Sequence, residues 1–299
     1  MGHKHHKHQV SGKNIGIAVL LNIIITVSEL IGGLLSGSIS LLTDALHNFS
    51  DVVSLLLSYF TNRLARRQAD EKHTFGYKRA EILAAFINSA TLIGIAVFLM
   101  IEAVQRVLNP EPLKSDLVIY FALASVVINI LSVLILHKDA KESVNIKSAY
   151  LHLLTDVMTS VAVVVGGILM KFFGAFWVDG VLSVLIAAYL IYASYHLLIA
   201  SIKILMEFSP EHIDLSKIEV QIKSISEIKN IHHMHIWQLT EKEFFLDAHI
   251  DLKKDISISR FEQILDQIEQ ILHQNKVQYF NIQPEFKRQD KKNRVYNSH

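Results

Sequence analysis

Long apolar stretches alternate with short polar segments over the first two thirds of the chain. A membrane-spanning helix needs about 20 consecutive, mostly apolar residues. Six stretches meet this length, at about residues 15–35, 39–61, 82–107, 117–136, 149–173 and 176–205. A small, uncharged segment at 32–38 suits a tight turn between the first two, and Pro110 and Pro112 break the chain between the third and fourth. The pattern predicts an α-helical membrane protein with six transmembrane helices.

After residue 207 the pattern becomes that of a small soluble domain. Helical spacing predicts helices at 217–225 and 258–272, and shorter runs predict strands at 231–239, 243–250 and 277–282. The order α-β-β-α-β is typical of a small open sheet with its helices on one face. We therefore divide the chain into a His-rich cytoplasmic tail (1–13), a six-helix transmembrane domain (14–207), a cytoplasmic α/β domain (208–286) and a charged tail predicted to be disordered (287–299).

Lysine and arginine are concentrated in the loops on one side of the predicted helices. The loops after the second and fourth stretches hold Arg63, Arg66, Arg67, Lys72, Lys78, Arg79, Lys138, Lys141 and Lys147. The opposite side has only Arg106, Lys114 and Lys171. Because short cytoplasmic loops carry an excess of these residues, both termini are expected in the cytoplasm.

Two copies of the pattern His-x-x-x-Asp lie inside these apolar stretches. The first is His47 and Asp51, and the second is His152 and Asp156. Residues four apart share one helix face, and ionisable groups at membrane depth are costly and indicate function. Two such helices together would supply two imidazole nitrogens and two carboxylates, which is a tetrahedral ligand set suited to Zn²⁺. The sequence therefore predicts a metal transport site.

Composition narrows the chemistry of this site. The chain has no cysteine, so disulfides and thiolate metal sites are excluded, and ligands must come from His, Asp, Glu, backbone or water. Its 16 histidines are a high number for 299 residues. The 29 Lys and Arg residues balance 28 Asp and Glu residues, so the charge pattern of a nucleic-acid-binding protein is absent.

Further acids lie near membrane depth. Asp44 shares a helical stripe with His47 and Asp51, because offsets of three, four and seven fall on one face. For Glu29, Glu102 and Asp179 a structural role is favoured over metal binding, and all three are kept out of the primary site. Glu29, alone in its stretch, is expected to cap or pair, and Asp179, near the start of the sixth stretch, is expected to border an exit vestibule.

Other classes of function fit less of the pattern. Isolated polar residues in membranes often join helices by hydrogen bonds, but the duplicated spacing argues against this role for both pairs. A membrane metalloenzyme would need a motif such as His-Glu-x-x-His, which the sequence lacks, so we predict no enzyme and no catalytic residues. A passive metal channel and a metal-gated membrane sensor remain open alternatives.

Four segments resemble the cation diffusion facilitator family, which includes bacterial zinc, cobalt and cadmium exporters related to mammalian zinc transporters. They are SGSISLLTDALHNFSDVVSLLLS, HTFGYKRAEILAAFIN, SAYLHLLTDVMTSVAVVVGGI and HHMHIWQLT, within a match that covers 13–285. The resemblance implies a homodimer of six-span subunits in the inner (plasma) membrane. It also implies a metallochaperone-like cytoplasmic domain with a regulatory role, and exchange of metal for protons.

The resemblance places the transport site on His47, Asp51, His152 and Asp156. Family members with histidine at the first position of each pair are associated with zinc, and imidazole also suits Zn²⁺ better than an all-oxygen set does. We therefore expect Zn²⁺ and H⁺ as the transported ions, with Cd²⁺ and Co²⁺ as alternative metals, and no cofactor.

The resemblance also implies a regulatory zinc site in the cytoplasmic domain. Its ligands would be His232, His235, His249 and Glu285, with His233 as a neighbouring option, although 278–285 lacks the histidine that several relatives have. Asp70 and His73 resemble an additional metal site that parts of the family have in this loop. The composition of the N-terminal tail, with His3, His5, His6 and His8, predicts a metal-binding tract.

Proton coupling is a consequence of the ligand chemistry. Zinc ligands must be deprotonated, and an unperturbed imidazole titrates near pH 6.5, at about physiological pH. Our hypothesis is that His47 and His152 lose protons to cytosolic zinc and regain them from outside as zinc leaves. A second hypothesis is that Arg79 and Glu207, which have opposite charges at similar depth, latch the membrane helices to the cytoplasmic domain.

Overall fold

The computed structural model describes residues 12–65, 67, 69–137, 144–288 and 292–294. The predicted histidine tract at 3–8 lies outside these residues. Within them the first part of the chain forms six long helices. They are α1 (Gly12–Ser36), α2 (Ile39–Ala65), α3 (Ala80–Leu108), α4 (Ser115–Leu136), α5 (Val144–Phe173) and α6 (Trp177–Leu205).

Five of these helices are long and apolar enough to cross a membrane by themselves, namely all except α2. Helix α2 is also long enough, with 27 residues, but it carries Asp44, His47 and Asp51, which lower its hydropathy. These polar side chains are buried or half-buried in the protein, and the large apolar side chains Phe49, Leu56 and Phe60 are exposed on the same helix. A helical membrane domain is thus confirmed, and the polar residues of α2 face other helices, as a sixth spanning helix requires.

Glycines allow close approach between neighbouring membrane helices. A Cβ atom on Gly180 of α6 would lie only 2.7 Å from the carbonyl oxygen of Ala103 and 2.9 Å from the backbone nitrogen of Val107, both in α3. A Cβ on Gly167 of α5 would lie 2.8 Å from the Ile119 side chain in α4. Small residues at such crossings let helix backbones pack closely where no hydrophobic driving force exists between helices.

Asp179 near the start of α6 holds the N-terminus of α2. Its side chain is fully buried, and its Oδ2 accepts a hydrogen bond of 2.8 Å from the backbone N–H of Ile39. Its Oδ1 accepts hydrogen bonds from the hydroxyls of Ser38 and Ser40 and from the Ser40 backbone N–H. A carboxylate at a helix N-terminus satisfies free N–H groups and is favoured by the helix dipole. Asp179 therefore has a structural role at this helix end, and its capping of α2 was not predicted from the sequence.

A second compact unit consists of the described residues within 61–86 and 199–294. After α6 its elements are α7 (Leu215–Lys223), β1 (Ile228–Gln238), β2 (Phe244–Leu252), α8 (Ile258–Gln274) and β3 (Tyr279–Glu285). The sheet order is β1-β2-β3, with β1 antiparallel to β2 and β2 parallel to β3. The predicted α-β-β-α-β order is confirmed. The element boundaries differ by up to three residues, because core residues such as Val277 lie just outside the strands.

One face of the sheet forms the core, and the other remains partly open. Alternate residues of β2 are buried, and they pack with residues of α7 and α8 such as Ile218 and Ile264. The remaining residues of β2 lie on the open face, where Trp237, Phe245 and Tyr279 stack in a row across the three strands with ring centroids 5.5 and 4.5 Å apart. The packing of Trp237 in the sheet agrees with the geometry expected of cross-strand aromatic pairs.

Candidate metal sites

Helices α2 and α5 bring the four predicted transport-site residues together. His47 Nε2 of α2 lies 3.2 Å from Asp156 Oδ1 of α5, and His152 Nε2 of α5 lies 2.8 Å from Asp51 Oδ2 of α2. Within each helix the histidine nitrogen lies 3.9 Å from the aspartate four residues on. Each histidine is therefore paired most closely with the aspartate of the other helix, so that the two motifs interlock.

The interlocked group is buried on one side and partly open on the other. His47 and Asp156 are almost fully buried, whereas the His152 side chain is 40% exposed and the Asp51 side chain 24% exposed. Donor atoms of His47, His152 and Asp156 all lie within 4.8 Å of one another. Zinc with ligands at about 2.0–2.1 Å needs donors about 3.3 Å apart in a tetrahedron, so small side-chain movements suffice to enclose an ion.

Asp156 carries the clearest sign that this group of side chains suits a cation. Its Oδ2 atom is buried and, among the residues described, has no hydrogen-bond partner. A buried carboxylate oxygen without a partner costs free energy unless a cation or donor satisfies it. The donor set of two imidazoles and two carboxylates thus fits a divalent metal such as Zn²⁺.

Further buried polar residues surround the candidate transport site. The Ser160 hydroxyl of α5 donates a hydrogen bond of 3.4 Å to Asp44 Oδ2. The Asn129 side chain of α4 in turn donates one of 3.4 Å to the Ser160 hydroxyl. Asn48, next to His47, donates to Glu29 of α1 at 2.8 Å. The expected pairing of Glu29 is observed. Asn129 and Ser160 were not singled out by sequence, because isolated Asn and Ser in a span carry no spacing pattern of their own.

In the cytoplasmic domain two overlapping groups of potential ligands share His232. One group is His232, His233 and His249, and the other is His232, Asp251 and Glu285, with donor atoms in each group within 4.8 Å of one another. His249 Nδ1 lies 2.9 Å from Glu285 Oε1, and His232 Nε2 lies 3.3 Å from Glu285 Oε2. The structure thus brings together His232, His249 and Glu285 as expected, and adds Asp251, which sequence reasoning missed.

The structure does not bring His235 into either ligand group. A bulge in β1 separates the pairs His232–His249 and His235–Asp247, and His233 in the bulge has a left-handed φ of 49°. The bulge turns His233 toward His232 and His249, with ring centroids 4.7 and 5.0 Å away. His235 lies one cross-strand pair further along and lines an open groove with Trp237. Asp251 was missed because its place depends on the pairing of β2 with β3, where it lies opposite Glu285.

Burial favours the neutral form of His232, which is the form that binds metal. Desolvation lowers the pKa of His232, and the nearby Lys292 ammonium lowers it further, while Asp251 and Glu285 oppose the shift. Because its pKa is lowered, His232 keeps a free lone pair for a metal down to a lower pH than an exposed histidine does. The chemistry of this cluster therefore also suits a divalent cation.

The predicted loop pair forms a local turn. Asp70 Oδ1 accepts hydrogen bonds from the backbone N–H groups of Lys72 and His73, at 2.9 and 2.7 Å, and lies 3.0 Å from His73 Nδ1. The backbone hydrogen bond from His73 is the main cause that lowers the pKa of Asp70. The two side chains are adjacent, but both are largely exposed, and among the described residues no third ligand joins them.

The fold defines a multi-pass membrane protein that has a candidate cation site between helices and carries a small α/β domain. Residues 15–206 match the profile of the cation efflux transmembrane domain, and residues 210–285 match that of the cation efflux protein cytoplasmic domain. The chain belongs to the cation efflux family and is a transporter. The resemblance recognised in the sequence is thereby confirmed.

Similar proteins cover nearly the whole chain. It is 37% identical over 290 residues to the cadmium, cobalt and zinc/H(+)-K(+) antiporter of Bacillus subtilis, covering 95% of this chain and 92% of that protein. It is 33% identical to the cation efflux system protein CzcD of an Alcaligenes species, covering 91% and 85%. It is 31% identical to the zinc transporter ZitB of Escherichia coli, covering 86% and 82%.

Proposed function

We propose that this protein exports Zn²⁺ from the cytoplasm in exchange for protons, through the site formed by His47, Asp51, His152 and Asp156. The interlocked His–Asp contacts between α2 and α5 are the observation that carries the proposal. Relatives named for zinc, cadmium and cobalt support the choice of metal, with Cd²⁺ and Co²⁺ as alternative substrates. The protein would act as a homodimer in the inner (plasma) membrane with both termini in the cytoplasm, in keeping with the basic loops.

The site couples metal to protons through its own hydrogen bonds. A proton can be held between His47 Nε2 and Asp156 Oδ1, and another between His152 Nε2 and Asp51 Oδ2. Zinc binding uses the same nitrogens and oxygens, so these protons must leave those atoms before the ion can be coordinated. When protons arrive from the opposite side, they reclaim the same atoms and release the ion. Metal and protons thus exclude each other at one site, which is the condition for antiport.

Transport by variants tests the site. Replacing Asp51 or Asp156 with Ala should abolish pH-gradient-driven zinc uptake into inverted vesicles, because each loss leaves an imidazole without its partner and removes a ligand. Glu102→Ala is a matched control, since Glu102 is an exposed carboxylate of the membrane helix α3. Full zinc uptake by Asp156→Ala at wild-type protein levels would refute the proposed site.

A passive channel and a metal-gated sensor are distinguished by the driving force. Proteoliposomes with equal zinc on both sides and an imposed pH gradient should accumulate zinc against its gradient if the protein is an exchanger. A channel would show zinc flux only down its own gradient, and a sensor would show none.

We also propose that the cytoplasmic cluster around His232 and Glu285 binds zinc as a regulator of transport. Arg79 Nη2, just before α3, donates a hydrogen bond of 2.9 Å to Glu207 Oε1, just after α6. This ion pair is the proposed latch, and it supports the hypothesis that the cytoplasmic domain regulates the membrane helices. In the same unit Lys78 donates to Glu243 at 2.6 Å, and Phe75 packs against Phe245 with ring centroids 5.4 Å apart. The start of α3 is thereby joined to the open face of the sheet.

A further inference from the structure

The described part of the C-terminal tail, Lys292–Arg294, returns to the bulge of β1. The backbone carbonyl of Asn293 accepts a hydrogen bond from His233 N–H at 3.1 Å, and that of Arg294 accepts one from Met234 N–H at 2.7 Å. Arg294 also contacts α7, through Ser216 Oγ at 2.9 Å and Glu219 Oε2 at 3.2 Å. The predicted disorder of the tail therefore does not hold for these three residues, because the bulge leaves backbone donors that the tail satisfies.

This arrangement places the Lys292 ammonium at one of the two ligand groups. Lys292 Nζ lies 2.7 Å from Glu285 Oε2, 2.9 Å from Asp251 Oδ1 and 3.3 Å from His232 Nε2. These three residues form one of the two groups in this domain whose donor atoms could enclose a metal ion. The side chain of Lys292 is 28% exposed, and that of Glu285 is 2% exposed, so the ion pair is largely removed from water.

We propose that Lys292 is an internal competitor for divalent metal at this cytoplasmic site and thereby sets its metal affinity. This inference rests on the proposed function of the cluster as a regulatory zinc site. Zinc must bind through the lone pairs of His232, Asp251 and Glu285 that face the Lys292 ammonium. An ammonium and a divalent cation cannot share these atoms, because both are positive and both need the same lone pairs. Zinc binding therefore expels Lys292.

Expulsion of Lys292 releases the tail from β1. The two backbone hydrogen bonds and the contacts of Arg294 hold the lysine at a high effective concentration, so zinc must displace a preformed intramolecular contact. The apparent affinity for zinc equals the intrinsic affinity multiplied by the fraction of molecules in which the tail is undocked. The site thus responds only above a threshold of cytosolic zinc, and its occupied state differs from its resting state by a freed tail.

The alternative ligand group makes a contrasting prediction. His232, His233 and His249 could take up an ion while Lys292 stays on Asp251 and Glu285. In that case removing the lysine charge would hardly alter zinc affinity, and the tail would remain docked. The two arrangements therefore differ in two independent measurements.

The test measures zinc binding to the full-length protein in detergent, with Asp51→Ala and Asp156→Ala as the background that removes the transport site. Competition between the protein and a fluorescent chelator for added zinc gives the dissociation constant. Lys292→Met should strengthen zinc binding on the order of tenfold, as expected if the tail is docked about 90% of the time. Lys254→Met is the matched control, because Lys254 is exposed between β2 and α8, and it should leave the constant unchanged.

Hydrogen exchange reports on the tail in the protein without the Lys292 change. The amides of His233 and Met234 are bonded to the tail, so zinc should speed exchange in peptides that cover 230–236. Equal zinc affinity with and without Lys292, or exchange that zinc leaves unchanged or slows, would overturn the role of Lys292 while leaving the cytoplasmic zinc site in place. If His232→Ala binds as much zinc as its parent, both the cytoplasmic zinc site and this inference are refuted. The proposed transport site is tested separately, by the zinc uptake of its own variants.

Discussion

Asp179 of α6 accepts a hydrogen bond from the backbone N–H of Ile39, the first residue of α2. His47 follows Ile39 by roughly 12 Å along the helix at 1.5 Å per residue. The same helix α6 also places Tyr189 next to His47, with ring centroids 6.1 Å apart. Helix α6 therefore contacts α2 both at its N-terminus and at a transport-site ligand, and this fixes where His47 and Asp51 stand along the helix axis.

We expect Asp179→Ala to reduce both thermal stability and the maximal rate of zinc transport. The change leaves the Ser38 and Ser40 hydroxyls and the Ile39 N–H without their shared acceptor, at about 1–3 kcal/mol for each buried group left unsatisfied. Asp179→Asn, which keeps an acceptor oxygen, should lose less. Asp116→Ala is the control, because Asp116 is an exposed aspartate paired with Lys171, and such pairs contribute about 0–1 kcal/mol. Equal effects of Asp179→Ala and Asp116→Ala would argue against this role.

The crossing of α3 and α6 is expected to tolerate only glycine at position 180. Gly180→Ala puts a Cβ against backbone atoms of Ala103 and Val107, which cannot move without separating the helices. Overpacking of this kind costs about 1–3 kcal/mol, measurable as a lower unfolding temperature in detergent. Gly94→Ala, in α3 with no neighbour within 4 Å of the added atom, should be neutral or stabilising by up to about 1 kcal/mol. Equal unfolding temperatures of Gly180→Ala and Gly94→Ala would show that the crossing tolerates alanine and would contradict this prediction.

Replacing the histidines of the transport site should alter metal preference. In His47→Asp and His152→Asp the site becomes richer in oxygen, so zinc transport should fall relative to manganese transport by on the order of tenfold. The measurement is the ratio of zinc to manganese flux in proteoliposomes. His137→Asp, which changes a histidine at the end of α4 outside the site, should keep the original ratio. An unchanged ratio in the site variants would mean that the imidazoles do not select the metal.

The Arg79–Glu207 latch should be revealed by charge reversal. Both side chains are more than a third exposed, so the pair adds little to stability, about 0–1 kcal/mol, and transport rate is the informative measurement. Arg79→Glu and Glu207→Arg should each slow zinc transport, and the double reversal should restore it because the opposite charges again meet. The exposed pair Lys203–Glu211 provides the control, since its reversals should have no effect. Failure of the double variant to recover would contradict the latch.

Acid should weaken the attachment of α8 to the start of β1. The Ser226 hydroxyl and the Arg260 guanidinium lower the pKa of Glu227 from 4.5 to about 2. Because the folded-state pKa is depressed, the stabilising contribution of Glu227 is present above pH 4.5 and is lost as the pH falls toward 2. In Glu227→Gln this part of the pH dependence should vanish from unfolding curves followed by Trp237 fluorescence in a Trp177→Phe background. A curve identical to that of the parent would show that the ion pair is not responsible.

The sequence by itself predicted the spanning stretches, the order of helices and strands in the cytoplasmic domain and the candidate ligands of the transport site. Apolar stretches of spanning length and the i,i+4 spacing of His47–Asp51 and His152–Asp156 are local properties, so one reading of the sequence suffices to find them. Ligand chemistry then joined the two motifs into one predicted site, and the family resemblance implied the same four residues.

Only the tertiary structure decided which groups meet across elements. The cross-pairing of His47 with Asp156, the capping of α2 by Asp179, and the place of Asp251 beside His232 all join residues far apart in the chain. The bulge at His233 shifted the strand register, removed His235 from the ligand groups and opened backbone donors to the tail that carries Lys292. The position of the bulge and the long-range contacts depend on how whole helices and strands pack together. A local pattern of residues therefore does not specify them.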